Sequence, residues 1–377
     1  MNNLSNHQEI IHLMENNTIP SSFLPTEILP DYSTIDDVIA TQYSAGDVGG
    51  VIAPTPITGR YITGREAARI QLEKLSFEPG QTFHVKLNNN IIFEGTVTKP
   101  GFFSIREQEK LLDAEGNPVC KQGSTAPFWI NKGNSIYSDG WKYLEERAEV
   151  GTGLFIIPNH TQGGIGADYA TDFSNLFVEI DDRPIPEQWE KINEIQSQYG
   201  LTPSLIVGSG GKSLHVYYKL ATSPDAETWK VLQKKLILLF QSDPAIINLN
   251  REMRFAGFTR KAKGTQQSVG FDSEATYTVE DFEARLSSAY PHGLSEGRWD
   301  EARKALKFEG DRNAEIKRIL SLPEESLAKN IKKARKAQTT TGLNYVGEGS
   351  LVDAVKYNGG KVEGSLSHAV NTWKVQG

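Results

Sequence analysis

Two short apolar runs joined by a five-residue polar turn constrain this chain more than any other stretch. The sequence "SLIVGSGGKSLHVYYKL" alternates on both sides of Gly208–Lys212 and is rich in β-branched and aromatic residues, a pattern that suits strands rather than helices. A glycine-dense turn between two such runs predicts an antiparallel hairpin. The turn contains Gly-Lys-Ser, the tail of a phosphate-binding P-loop. That motif needs a glycine five residues before Gly211, where this chain has Ile206, and it needs a helix after the Ser. Neither condition is met, so an ATPase loop is disfavoured. On the second strand Ser213, His215 and Tyr217 share one face, and Leu214, Val216 and Tyr218 the other.

The neighbouring pattern extends this layer. "NLFVEIDD" predicts a strand, "PEQWEKINEIQSQYG" a helix stopped at Gly200, and "SPDAETWKVLQKKLILLFQS" a long helix opened at Ser223-Pro224. The order strand, helix, strand, strand, helix implies an α+β or α/β layer with a mixed or antiparallel sheet. Upstream, Thr63 is the expected N-cap of "GREAARIQLEKL". "TFHVKLNNNIIFEGTV" predicts two strands around an Asn turn, and "GTGLFIIPN" another strand. Downstream, "TVEDFEARLSSA" and "GRWDEARKALKF" predict helices, and residues 293–377 are expected to be helical throughout.

The net charge of −7 is unevenly distributed, because residues 1–59 hold seven acidic side chains and no Lys or Arg. Beyond them acidic and basic residues balance, with basic clusters at Arg251, Arg254, Arg260, Lys261 and Lys263 and at Lys329, Lys332, Lys333, Arg335 and Lys336. Such clusters decide polyanion binding more than the total does. The single cysteine, Cys120, excludes a disulfide framework and any cysteine-based zinc site. No apolar run is long enough to span a membrane and no signal-peptide pattern opens the chain, so a soluble, cytoplasmic protein is expected.

The chemistry concentrates in "LFVEIDD". Strand alternation places Glu179 and Asp181 on one face, about 7 Å apart by the rise of a strand. Like charges at that separation call for a cation or a proton between them. A hard divalent ion with oxygen ligands, Mg²⁺ or Mn²⁺, is the natural guest; a strand end entering a solvated loop is the plainer alternative. Asp243 is the candidate third carboxylate. Arg254 follows, and arginine suits bidentate contact with phosphate.

In this order, Glu179-Ile180-Asp181, Ser213-Leu214-His215 and Asp243 with Arg254 in "MRFAGF" resemble the three motifs of the archaeo-eukaryotic primase superfamily. The narrower likeness is to primase-polymerases of bacterial plasmids and mobile elements, over residues 150–290. Two positions depart from the family pattern: Glu179 stands where many members carry Asp, and Ala256 where Pro is usual. The resemblance implies a catalytic core with an RRM-like mixed or antiparallel sheet flanked by helices, preceded by an N-terminal α/β module and followed by a helical domain. The corresponding boundaries are an acidic, flexible tail at 1–59, the N-terminal module at 60–150, the catalytic module at 151–292 and the helical domain at 293–377. It further implies template-directed nucleotidyl transfer on single-stranded DNA. Glu179, Asp181 and Asp243 would hold two Mg²⁺ or Mn²⁺ ions. Lys212, Ser213, His215, Arg254, Arg260 and Lys261 would bind the NTP or dNTP, and Lys329, Lys332, Lys333, Arg335 and Lys336 the nucleic acid. No helicase P-loop is present, so a replicative helicase would act in trans. The rival expectations are an RNase H-type metal-dependent nuclease and a non-catalytic DNA-binding replication module.

Overall fold

The computed structural model describes residues 56–327, apart from 88–90, 148–152, 261–263 and 309, together with Lys329 and two short strands near the C-terminus. The first helix, α1 (Gly64–Lys74), has Thr63 in the N-cap position with extended backbone but no side-chain cap bond. Strands β1 (Thr82–Leu87), β2 (Ile92–Lys99), β3 (Phe102–Lys110) and β4 (Trp129–Asn131) follow, then α2 (Gly140–Arg147) and β5 (Leu154–Ile156). The central segment contains β6 (Asn175–Ile180), α3 (Ile185–Tyr199), β7 (Leu205–Gly208), β8 (Leu214–Leu220) and α4 (Ala226–Phe240). Short strands come next: β9 (Met253–Arg254), β10 (Thr259–Arg260), β11 (Thr265–Gln266), β12 (Ser268–Asp272) and β13 (Thr276–Tyr277). Helices α5 (Val279–Leu286), α6 (Glu296–Ala305) and α7 (Arg312–Ser321) precede β14 (Lys361–Glu363) and β15 (Lys374–Gln376).

Two main sheets form. The first runs β4-β3-β2-β1-β5-β9, antiparallel throughout. The second centres on β8, which pairs antiparallel with β6 and β7 and parallel with β13, while β12 flanks β7. The mixed α+β layer expected from the sequence is therefore present. The first sheet is not confined to residues 60–150, because β5 and β9 complete it.

Both faces of β6 and β8 are covered. Phe177 and Tyr217 on one face and Val178 and Tyr218 on the other are all essentially inaccessible. Trp229 of α4 packs against Phe177, with ring centroids 5.8 Å apart, and its indole N–H donates to the Asn175 carbonyl at 2.9 Å. Phe240 and Phe282 close over Tyr218. Each such aromatic is worth about 1.5–3 kcal/mol of burial.

Helix ends follow side-chain capping more closely than composition. α4 begins at Ala226, because the Asp225 carboxylate accepts from the amides of Glu227 and Thr228 at 2.9 Å; Ser223-Pro224 lies outside the helix. α3 ends at Gly200, whose φ of 65° suits a left-handed stop.

Two segments differ in character from the sequence expectation. Ile57, within the segment read as a tail, is buried, and its N–H donates to Asn193 Oδ1 at 2.8 Å. The region after 293 is not helical throughout: α6 and α7 are followed by the antiparallel pair β14–β15. Each strand has a central valine, and each stands beside glycine in the sequence, which favours a short ladder over a helix. Residues 1–55 lie outside the described residues. No helix among the described residues is long and apolar enough to cross a membrane.

Candidate active site

Glu179 and His215 face each other as a register pair between β6 and β8, with Val207 of β7 continuing the row. Imidazole Nε2 lies 3.5 Å from Glu179 Oε1, and the Ser213 hydroxyl donates to the same oxygen at 3.2 Å. The Arg254 backbone N–H donates to His215 Nδ1 at 3.3 Å. A neutral ring that accepts at Nδ1 carries its proton on Nε2. That buried Nε2–H lies beside the Glu179 carboxylate, 3.5 Å from Oε1, a contact longer than an ordinary hydrogen bond. His215 lowers the Glu179 pKa to about 2, against burial that raises it; Ser213 and the charge of Arg251 assist. Glu179 is thus an anion at any working pH.

The Gly-Gly-Lys-Ser turn is a hairpin loop. Ser209 N–H donates to the Ser213 carbonyl at 3.0 Å, and Gly210 takes a φ of 65° with Gln266 O 2.8 Å from where a Cβ would sit. The close backbone approach and left-handed torsion require glycine. The loop sends Lys212 to Asp181, Nζ to Oδ2 3.1 Å. Asp181 follows the end of β6 and is 41 % exposed; Lys212 is 77 % exposed, so this ion pair is loose and exchangeable. Asp182 is held differently, by Arg183 at 3.0 Å and by Arg312 of α7 at 2.8 Å.

Asp243 follows α4, with Oδ1 accepting from Ala245 N–H at 2.9 Å and Oδ2 3.8 Å from Arg251. Arg251 also acts electrostatically on Glu179, so its guanidinium links the first and third carboxylates. Sequence analysis placed Arg251 in a basic cluster without assigning it to the site. Arg254 lies on β9, and its guanidinium stacks 4.1 Å above the ring of Phe155, its register partner on β5. Nothing in the sequence pairs residues 155 and 254. Arg260 pairs through its backbone with Thr265; its side chain and Lys261 lie outside the described residues. Of the second basic cluster, Lys329 is exposed, whereas Lys332, Lys333, Arg335 and Lys336 lie outside the described residues.

The carboxylates meet the test for a hard cation in chemistry but not as a finished ligand set. All three offer only oxygen, and each faces a nitrogen side chain that a divalent ion could replace: His215, Lys212 and Arg251. Among the described residues, however, no three His, Cys, Asp or Glu side chains converge closely enough to hold an ion as they stand.

No family model matches the chain, and no curated protein sequence matches it. Solved structures do match in chain path. The AEP domain of the cyanophage S-2L primase-polymerase is 19 % identical and covers 59 % of this chain and 98 % of its own, with a TM-score of 0.40. The catalytic domain of primase RepB′ in complex with initiator DNA is 17 % identical over 60 % of this chain and 97 % of its own, TM-score 0.36. Primase RepB′ is 17 % identical over 77 % and 94 %, TM-score 0.34. Similarity at this level carries no functional weight, which rests instead on the side chains just described.

Proposed function

We propose that this chain is a template-directed nucleotidyltransferase of primase-polymerase type, acting on single-stranded DNA with NTP or dNTP substrates. The observation that carries the proposal is the β6–β8 rung: an ionised Glu179 with the buried His215 Nε2 3.5 Å from its Oε1. A triphosphate oxygen would accept from that Nε2–H, and Lys212 and Arg254 would neutralise its charge from the turn and from β9. In the reaction a 3′-oxygen attacks the α-phosphorus and pyrophosphate leaves. Two Mg²⁺ or Mn²⁺ ions, held by Glu179, Asp181 and Asp243, would activate the attacking hydroxyl and stabilise the departing pyrophosphate. Lys212 and Arg251 would give way as the ligand set assembles. His215 holds the phosphates in line; the Arg254 amide fixes its tautomer. Replication of a plasmid or mobile element, with a helicase acting in trans, is the biological setting proposed.

Primer-free synthesis on single-stranded DNA, with Mg²⁺ or Mn²⁺ and each nucleotide type in turn, tests this. New labelled strands support it, and shortening of the template points to an RNase H-type nuclease. Lys212 on Asp181 and Arg251 beside Asp243 engage two of the three carboxylates, which suits one further reading, a non-catalytic DNA-binding module. That reading requires template binding with no incorporation, unchanged by Asp181→Ala.

A further inference from the structure

Three fully buried glutamines, Gln71, Gln188 and Gln233, spend their side-chain amides on the main chain of site-bearing segments. Gln188 of α3 donates to the Arg183 carbonyl at 2.6 Å and the Lys212 carbonyl at 2.7 Å, and accepts from Leu214 N–H at 2.8 Å. It thereby joins the loop after Asp181 to the Gly-Gly-Lys-Ser turn. Gln233 of α4 accepts from Phe177 N–H at 3.1 Å and donates to the carbonyls of Phe177 at 2.5 Å and Ile246 at 2.8 Å. It joins the strand of Glu179 to the segment of Asp243. Gln71 of α1 donates to the Arg254 carbonyl at 2.9 Å and accepts from Ala256 N–H at 2.6 Å, with Tyr217 Oη at 3.4 Å. It joins β9 to the strand of His215.

We infer that these three glutamines are positioning residues, whose amides set the spacing of the four segments that carry the site; the inference rests on the function proposed above. A buried amide must be satisfied somewhere, but these satisfy themselves where the sheet ladder gives out. Arg183 and Lys212 lie beyond the ends of β6 and β8. β6 stands at its sheet's edge, paired with β8 alone, and Gln233 supplies the amide that a further strand would. Arg254 and Ala256 sit where β9 leaves the first sheet and meets the second through His215. Main-chain bonds hold each segment locally; the glutamine amides, rooted in helices, span the gaps between them beside the His215–Arg254 and Lys212–Asp181 contacts. Removing one such amide strands two or three buried main-chain groups at once.

Gln188→Met keeps the volume and removes the amide. Gln196→Met is the control. Gln196 lies on the same helix, is buried, and donates to Thr202 Oγ1 at 3.2 Å, at the end of β7 away from the turn. Hydrogen exchange on the full chain should show amides at 181–183 and 209–214 exchanging at least about tenfold faster in Gln188→Met, and at the wild-type rate in Gln196→Met. In the synthesis assay kcat/KM for nucleotide should fall by about tenfold to a hundredfold in Gln188→Met alone, the scale of a displaced site segment. Unchanged exchange at both segments overturns the inference, as does an equal loss of activity in the two variants. If Gln188→Met does not fold, Gln188→Glu is read by the same criteria, since it keeps the acceptor for Leu214 and turns an acceptor towards two carbonyls. If wild type incorporates no nucleotide, the proposed function fails, and the exchange result alone decides the role of the glutamines.

Discussion

The sharpest physical claim is the ionisation of Glu179. Its carboxyl titrates at about 2 rather than the ordinary 4.5, first because of His215, with Ser213 and Arg251 adding to it and burial opposing. The folded-state value is depressed, so the associated stabilisation is complete above about pH 4.5. It drains away as pH falls towards 2. The full shift corresponds to roughly 3 kcal/mol, an upper figure for a side chain that keeps some contact with water. His215→Ala removes the leading cause and leaves burial in place, so the carboxyl should titrate at least about one unit higher. Carbon-13 carboxyl labelling of glutamate follows this by NMR titration, and the Glu179→Gln spectrum assigns the signal. Urea unfolding of wild type and Glu179→Gln between pH 5 and pH 2 gives the energetic counterpart, a stability difference that shrinks with acid. A wild-type Glu179 titrating near 4.5, or a value indifferent to His215→Ala, would refute the account of the rung.

Asp181→Asn and Asp243→Asn should each abolish strand synthesis while unfolding free energy stays within about 0.5 kcal/mol of wild type, because both side chains are substantially exposed; urea unfolding beside the synthesis assay checks both halves. Gly210→Ala forces a methyl against Gln266 O at a φ of 65° and should cost about 1–3 kcal/mol, read as a Tm lowered by several degrees. Lys219, half-buried and hydrogen-bonded to Ser174 at 2.7 Å, has its pKa lowered to about 8 by desolvation. The folded state then binds fewer protons than the unfolded one between about pH 8 and 10.5, so Lys219 should make stability rise across that window. The rise should be missing in Lys219→Met, as pH-dependent urea unfolding of the two proteins would show.

What could be read from the sequence was what is local. The hairpin around Gly210 and the helix stopped at Gly200 follow from alternation and glycine placement, whereas the neighbouring of Glu179 and Ser213-x-His215 was implied only by the family resemblance. The start of α4 was displaced because the Asp225 cap outweighs the proline signal one residue earlier. What pairs distant residues left no local trace. Phe155 under Arg254, Arg251 between two carboxylates and the three glutamine amides depend on how the sheets meet.

The placement of β9 bears on how the chain comes off the ribosome. A nascent chain that has emerged only as far as Gly208 has β1–β5 in hand, but the outer edge of β5 still lacks its strand. His215 gains the Arg254 amide at its Nδ1 only after Met253 and Arg254 have paired with that edge. Substrate-binding competence is therefore expected to arrive late and all at once, rather than growing module by module from the N-terminus.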